Sequence, residues 1–236
     1  MSDAKNSRAP GASSDESNTA EEIYERIYIA VLEHRLLPGT KLGEGRLATI
    51  FGSTRARVRE ALAHLAHEKI VELVPQHGAF IAKPTAEQAM DVFEARRLIE
   101  PAVLRRLIST LTPEKIARLR SHQEREVDAR QRDDKPTFLR LTGKFHQLVA
   151  ELSGNSALAR SMRELSTLTC LIISLYDAPT ATSCRPDEHA EIIDAIEHRN
   201  AERAAQLMLE HLDHIERSLK LDHSIIATEL EEIFSS

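Results

Sequence analysis

Past Pro84 the sequence offers almost nothing but helix. Apolar residues recur at helical spacing in six stretches, near 86–110, 113–131, 136–153, 155–177, 187–198 and 200–221. The breaks fall where helix-ending chemistry collects, at Thr112-Pro113, Asp133 to Pro136, Gly154-Asn155, Ala178 to Pro186 and Arg199-Asn200. Helices joined by such short connections must bury their apolar stripes against one another, so this half is predicted to be an all-α antiparallel bundle. With 4% aromatic residues and no Trp, its core has to come from Leu, Ile, Val and Ala.

The first eighty residues are patterned differently. Residues 1–19, rich in Ser, Ala, Asp and Asn, bury too little to offset ordering and are expected to form a disordered tail. Ile23, Ile27, Ala30 and Val31 then mark a helix that stops before Pro38-Gly39. A short helix from about Glu44 to Phe51, the turn Gly52-Ser53-Thr54, and a third helix lined by Val58, Ala61, Leu62 and Leu65 follow, with Thr54 as its N-cap. Two β-branched runs, "IVELV" and "AFIAK", joined by "PQHG", read as a hairpin. Pro84-Thr85 marks the joint.

Charge and targeting signals narrow the class. No stretch approaches the ~20 apolar residues of a membrane span, and the first twenty residues lack the apolar segment of a secretory signal, so a cytoplasmic protein with no membrane partner is expected. Cys170 and Cys184 fit reduced thiols and are given no chemistry. The net charge of -6 splits unevenly: residues 21–83 hold nine Lys/Arg and eight Asp/Glu, against twenty and twenty-six over residues 84–236. Any basic surface must therefore come from local clustering.

The cluster is "FGSTRARVREAL". In a helix-turn-helix the second helix enters the major groove by its N-terminal end, which is where Arg55, Arg57 and Arg59 lie. Arg55 and Arg59, four residues apart, share a face suited to guanine edges or phosphates; Arg57 lies on another face, suited to the phosphate backbone. The alternative is a solvated basic face paired with Glu60 and Glu68. A short helix, a tight turn, an Arg-tipped helix and a Gly-tipped hairpin are, in order, the parts of a winged helix-turn-helix.

"LLPGTKLGEGRLATIFGSTRARVREALAHLAHEKIVELVPQHGAFIA" resembles the DNA-binding domain of the GntR transcription regulators through Pro38, Gly39, Leu47, Ala48, Gly52, Arg55, Val58, Arg59, Glu60, Ala61, Leu62 and Gly78. The resemblance implies DNA contacts from Arg46, Thr54, Arg55, Arg59, His77 and Gly78. Thr54 replaces the usual Ser and keeps the hydroxyl. Arg57 replaces the usual Pro and adds a cation, read as an extra phosphate contact. By composition alone His77 is as readily a loop residue without a DNA role.

Three of the eleven His in the chain sit on apolar faces. His146 goes with Leu139, Val149 and Ala150; His189 with Ile192, Ile193 and Ile196; His211 with Ala204, Leu207, Met208 and Ile215. The others, His122 included, lie near helix ends, beside charges or on a polar side. His189 and His211 stand ten residues before and eleven after the Arg199-Asn200 turn. At ~1.5 Å per residue they are nearly level on antiparallel helices. A lone buried His is usually a hydrogen-bonded core residue, but two inward His level across a hairpin and a third on another apolar face point to a divalent metal, with Zn, Ni, Co and Fe equally suited.

Residues 86–222 are similar to the FCD effector domain of the FadR-type branch, through Phe145-His146, Ser153-Gly154-Asn155, Glu188-His189 and His211. Thr142 stands where that branch has Asp or Asn; the loss of a carboxylate implies either weaker metal binding or a place taken by water or effector. The branch also implies an Arg facing the effector cavity. Arg96 matches it, while a salt bridge to Glu100 at i+4 is an equal reading. Together the resemblances imply a homodimer reading a palindromic operator in double-stranded DNA, controlled by a small organic acid. The expected organisation is a tail over 1–19, a winged helix-turn-helix over 20–83, an effector and dimerisation bundle over 84–222 and a C-terminal tail over 223–236. A three-His metalloenzyme fused to a DNA-binding module is the rival reading. It lacks a base, because Glu188, the only candidate, is turned away by the inward direction of its neighbour.

Overall fold

The computed structural model describes residues 18–176 and 187–221. The tail up to residue 17, Cys184, His223 and the final "TELEEIFSS" lie outside them. Nine α-helices and a three-stranded sheet make up the described residues, a winged helix-turn-helix followed by a helical bundle.

α1 (Ala20–Leu32) opens with a reciprocal cap: Thr19 Oγ1 accepts from the Glu22 N–H and the Glu22 carboxylate accepts from the Thr19 N–H. Its Ile23, Tyr24, Ile27, Tyr28 and Val31 are buried. β1 (Lys41–Leu42), α2 (Glu44–Ile50), α3 (Arg55–His67), β2 (Val71–Val74) and β3 (Gly78–Ile81) complete the N-terminal unit. Both sheet pairings are antiparallel, in the order β1-β3-β2, with Leu42 opposite Ala79 and Leu73 opposite the same residue from the other side. Only β2 and β3 are legible in the sequence. β1 has two residues, too few for any alternation to show, and exists because β3 offers it an edge. The wing turns at Gly78, whose φ of 101° lies where a side chain is strained.

α4 (Ala86–Ser109), α5 (Pro113–Gln131), α6 (Lys135–Leu152), α7 (Ser156–Tyr176), α8 (Glu188–Glu197) and α9 (Ala201–Ser218) form the bundle. Phe93, Leu104, Leu107, Phe145, Met162, Ile172, Ile192, Ile196, Met208 and Leu212 are among the side chains of its core. A second core joins α1, α3 and the sheet, and it does not end at Pro84: Cys170 and Leu171 of α7 belong to it.

α1 is thus packed on the bundle as well as on its own unit. Tyr28 places its hydroxyl between Gln147 Oε1 at 3.0 Å and Thr167 Oγ1 at 3.2 Å. The Tyr24 hydroxyl donates to Glu68 at 2.6 Å and accepts from Arg163 at 2.7 Å, and the Arg163 guanidinium lies 4.3 Å from the centre of the Tyr28 ring. α6 and α7 approach closely here because residue 143 is Gly; a Cβ at that position would stand 2.8 Å from Cys170 Sγ.

Candidate functional site

The folding of α3 decides which arginines face out. Thr54 Oγ1 caps the helix by accepting from the Arg57 N–H at 3.3 Å. Val58, Ala61, Leu62 and Leu65 are buried, so Arg55 and Arg59 project to solvent. Arg59 is 69% exposed and gives Nε–H and Nη2–H to the Glu44 carboxylate at 3.1 and 2.7 Å. The Arg55 guanidinium lies over Gly45, where a Cβ would come within 3.1 Å of Nη2. Arg46, next on α2, is exposed, as are His77 and Gly78 at the wing tip. Arg57 is half-buried and faces α1: after the two hydrogen bonds from Thr19, its charge helps hold the Glu22 carboxyl below the usual range. The partners expected of a solvated basic face are not the ones used. Arg59 pairs with Glu44 across the turn, and Glu68 is committed to Tyr24 and lies 3.5 Å from Arg163.

In the bundle, α6, α8 and α9 bring His146, His189 and His211 together. One nitrogen from each lies within 4.8 Å of the others, and all three side chains are buried. The ring centres are 4.9 to 5.5 Å apart. Each imidazole has its own carboxylate. His146 Nδ1–H donates to Glu100 at 2.7 Å, His189 Nδ1–H to both oxygens of Glu126 at 3.1 Å, and His211 Nδ1–H to Glu188 at 2.7 Å. A proton held on Nδ1 leaves the lone pair on Nε2, and the Nε2 atoms of His146 and His211 are 3.3 Å apart. Phe145 stacks on His189 with centres 4.0 Å apart and fixes that ring from its face.

Electrostatics keep His146 and His211 neutral and the carboxylates charged. Burial pushes His146 down to about 3 and His211 down to about 4. Burial alone raises Glu100, but the neighbouring Arg96 guanidinium, followed by His146, brings it to about 2. Burial works the same way on Glu126, which His189 holds at about 2. Neutral imidazoles backed by anionic carboxylates are the donor set that suits a divalent cation. Arg96 is 1% exposed; Nε–H donates to Glu100 at 2.6 Å and Nη1–H to Thr169 at 3.0 Å. The i+4 salt bridge therefore forms, yet Nη2 finds no acceptor among the described residues. Thr142, one turn before His146, gives its hydroxyl proton to Leu139 O at 2.9 Å.

Two family profiles match the chain. That of the bacterial regulatory proteins of the gntR family covers residues 19–81, and that of the FCD domain covers residues 91–214, more than half of the chain. The chain belongs to the GntR family of regulators and carries an FCD domain.

Its relatives agree. The HTH-type transcriptional repressor RspR of Escherichia coli (strain K12) is 26% identical over 204 residues, 85% of this chain and 88% of that protein. The HTH-type transcriptional repressor NanR of Salmonella newport (strain SL254) is 27% identical over 220 residues, 83% of each. The fold is shared with a GntR transcriptional regulator from Rhodococcus sp. RHA1, at a TM-score of 0.72 and 22% identity over 84% of this chain and 95% of that one. It is shared equally with E. coli McbR/YncC, at 0.73 and 18% over 82% and 93%. These families and relatives are DNA-binding transcription regulators rather than enzymes, which removes the metalloenzyme reading.

Two expectations about this GntR regulator need correction. His122, expected on a polar side, is buried: Nε2–H donates to Leu141 O at 2.9 Å and stands 3.3 Å from Glu126 Oε1, while Arg125 donates to Nδ1 at 3.3 Å. α5 buries its polar side against α6, so polarity is a false signal of exposure here. Glu188 is not turned away either. It stands in the first turn of α8 and reaches across to α9, meeting His211 and, at 2.9 Å, His214. Glu126, and the pairing of Glu100 with His146, escape a reading of the sequence because periodicity does not show which residue of another helix a buried Glu will meet.

Proposed function

We propose that this regulator is a repressor whose operator affinity is controlled by a small carboxylate-bearing metabolite bound in the helical domain, beside a divalent metal on His146, His189 and His211. The supporting observation is the pairing of every one of these imidazoles with its own carboxylate, which leaves the Nε2 lone pairs for an ion. The metal would supply a Lewis-acidic point for an anionic oxygen. Arg96, whose buried Nη2 has no acceptor among the described residues, would bind the effector carboxylate, and Thr142 would line the same place. In the N-terminal unit, 20–83, Arg55 and Arg59 read bases, Thr54, Arg46 and Arg57 meet phosphates, and His77 with Gly78 carries the wing into the duplex. The bundle, 84–222, holds the effector and joins two copies, so that a homodimer reads a palindromic operator. The two relatives named as repressors support the sign of regulation.

The test is an anisotropy titration of the full chain against DNA from upstream of its own gene and against selected operators, at stated salt, with metal content measured in parallel. Saturable binding that resists nonspecific competitor, a bound divalent metal lost on His146→Ala or His211→Ala, and an operator affinity that shifts when organic acids are added are the expected results. Metal-free protein with unaltered response to acids would refute the metal reading while leaving the DNA reading intact.

A further inference from the structure

The two outward arginines of α3 do not stand alone, because both are set by the first turn of α2. Arg59 meets Glu44 side-on, through Nε–H and one Nη2–H. A guanidinium has five N–H bonds, and this pairing uses two of them. The end-on edge, formed by Nη1 and the remaining Nη2 hydrogen, stays outward, and that edge matches O6 and N7 of guanine. The same carboxylate repels a phosphate, so it opposes any drift of Arg59 onto the backbone. Arg55 is set by the missing side chain of a glycine. Its guanidinium lies across Gly45, where a Cβ would be 3.1 Å from Nη2, 3.4 Å from Nε and 3.5 Å from Cζ. Glycine is a poor helix residue, and α2 has only seven residues, so helix propensity is given up where the slot is needed. The hydrogen bond from Arg59, and after it the charges of Arg59 and Arg55, hold the Glu44 carboxyl below the usual range.

The geometry points to Glu44 and Gly45 as specificity-determining residues of the DNA-binding unit: Glu44 aims Arg59 at a base, and Gly45 lets Arg55 lie low against α2. This rests on the reading of Arg55 and Arg59 as the base-reading side chains. Neither α2 residue needs to touch a base to change which sequence is preferred.

The experiment selects bound sequences from a random duplex library with the full chain and its Glu44→Ala, Glu44→Gln, Gly45→Ala, Gly45→Leu, Arg55→Ala and Arg59→Ala variants, with thermal midpoints measured beside them. Glu44→Ala is expected to lower discrimination about fivefold or more at the base position that Arg59→Ala also flattens, and Glu44→Gln, which keeps one acceptor, to retain part of it. Gly45→Leu is expected to change preference at the position that Arg55→Ala affects and nowhere else. A role confined to stability would move the midpoints and leave the preference profile unchanged. Profiles of Glu44→Ala and Gly45→Leu identical to that of the parent, alongside altered profiles for the two arginine variants, would overturn the proposal. Unaltered profiles for the arginine variants would instead overturn the reading beneath it. Where Gly45→Leu fails to fold, Gly45→Ala, which displaces only the far end of Arg55, takes its place and is held to the same two outcomes.

Discussion

Single side chains carry both proposed activities, and they differ in how visible they are in the sequence. Arg55 and Arg59 are legible because four-residue spacing on a helix with a buried opposite face fixes their direction, and Thr54 marks the start. Replacement of Arg59 by Ala is expected to weaken specific operator binding by ~1 to 3 kcal/mol while the thermal midpoint stays put. The three His are visible for a related reason, since each interrupts an apolar stripe. Of their carboxylates Glu126 is hidden: it sits in a stretch, "SHQEREVDARQ", that reads as solvated, and only the packing of α5 on α6 and α8 shows it buried between His122 and His189. Glu126→Gln should keep the fold but lower metal affinity about 10- to 100-fold, because the amide holds the imidazole proton less strongly. Isothermal titration with Zn decides this, and unchanged affinity would remove Glu126 from the metal site.

At the level of helices and strands, the repeating pattern places the starts of α4 to α9 to within a residue, since caps such as Thr112, Asp134 and Asn200 announce where each begins, whereas α9 ends at Ser218, three residues before the pattern does. The contact between helices is not announced. Nothing in "RLTGKFHQL" says that Gly143 marks a close approach of α6 to α7, because a glycine within a helix carries no directional signal. Gly143→Ala forces the new methyl against Cys170 Sγ and is expected to cost about 1 to 3 kcal/mol of stability. Adding Cys170→Ala should return a good part of that loss, and denaturant melts of the single and double variants measure it. If the double variant is no better than the sum of the singles, the tight contact is not where the strain arises.

For the whole molecule, two units and their order can be read from the sequence, but nothing in it hints at how they join. Part of the joint is made by Tyr28, a residue that on α1 looks like ordinary core. Its hydroxyl reaches Gln147, the neighbour of His146, and Thr167, one turn from the Cys170 and Leu171 that close the other core. Arg96 meets the same helix α7 at Thr169. On the proposed function, a shift of α6 or α7 on effector binding would reach α1 through this hydroxyl. Tyr28→Phe keeps the ring and removes the hydroxyl, so operator affinity without effector should change little, while the effector-induced change falls by ~0.5 to 2 kcal/mol. The comparison of operator binding with and without a responsive organic acid, in parent and variant, tests this; an undiminished response would place the coupling elsewhere.

The seat of Tyr28 also bears on how such regulators exchange parts. A recombination that moves a DNA-binding unit onto another bundle transplants α1 with it, yet leaves Gln147, Arg163 and Thr167 behind. A chimera that ignores them buries a tyrosine hydroxyl against whatever the new host supplies. Successful grafts of new operator preferences onto this effector domain would have to bring a Tyr at 28, or rebuild the pocket that receives it.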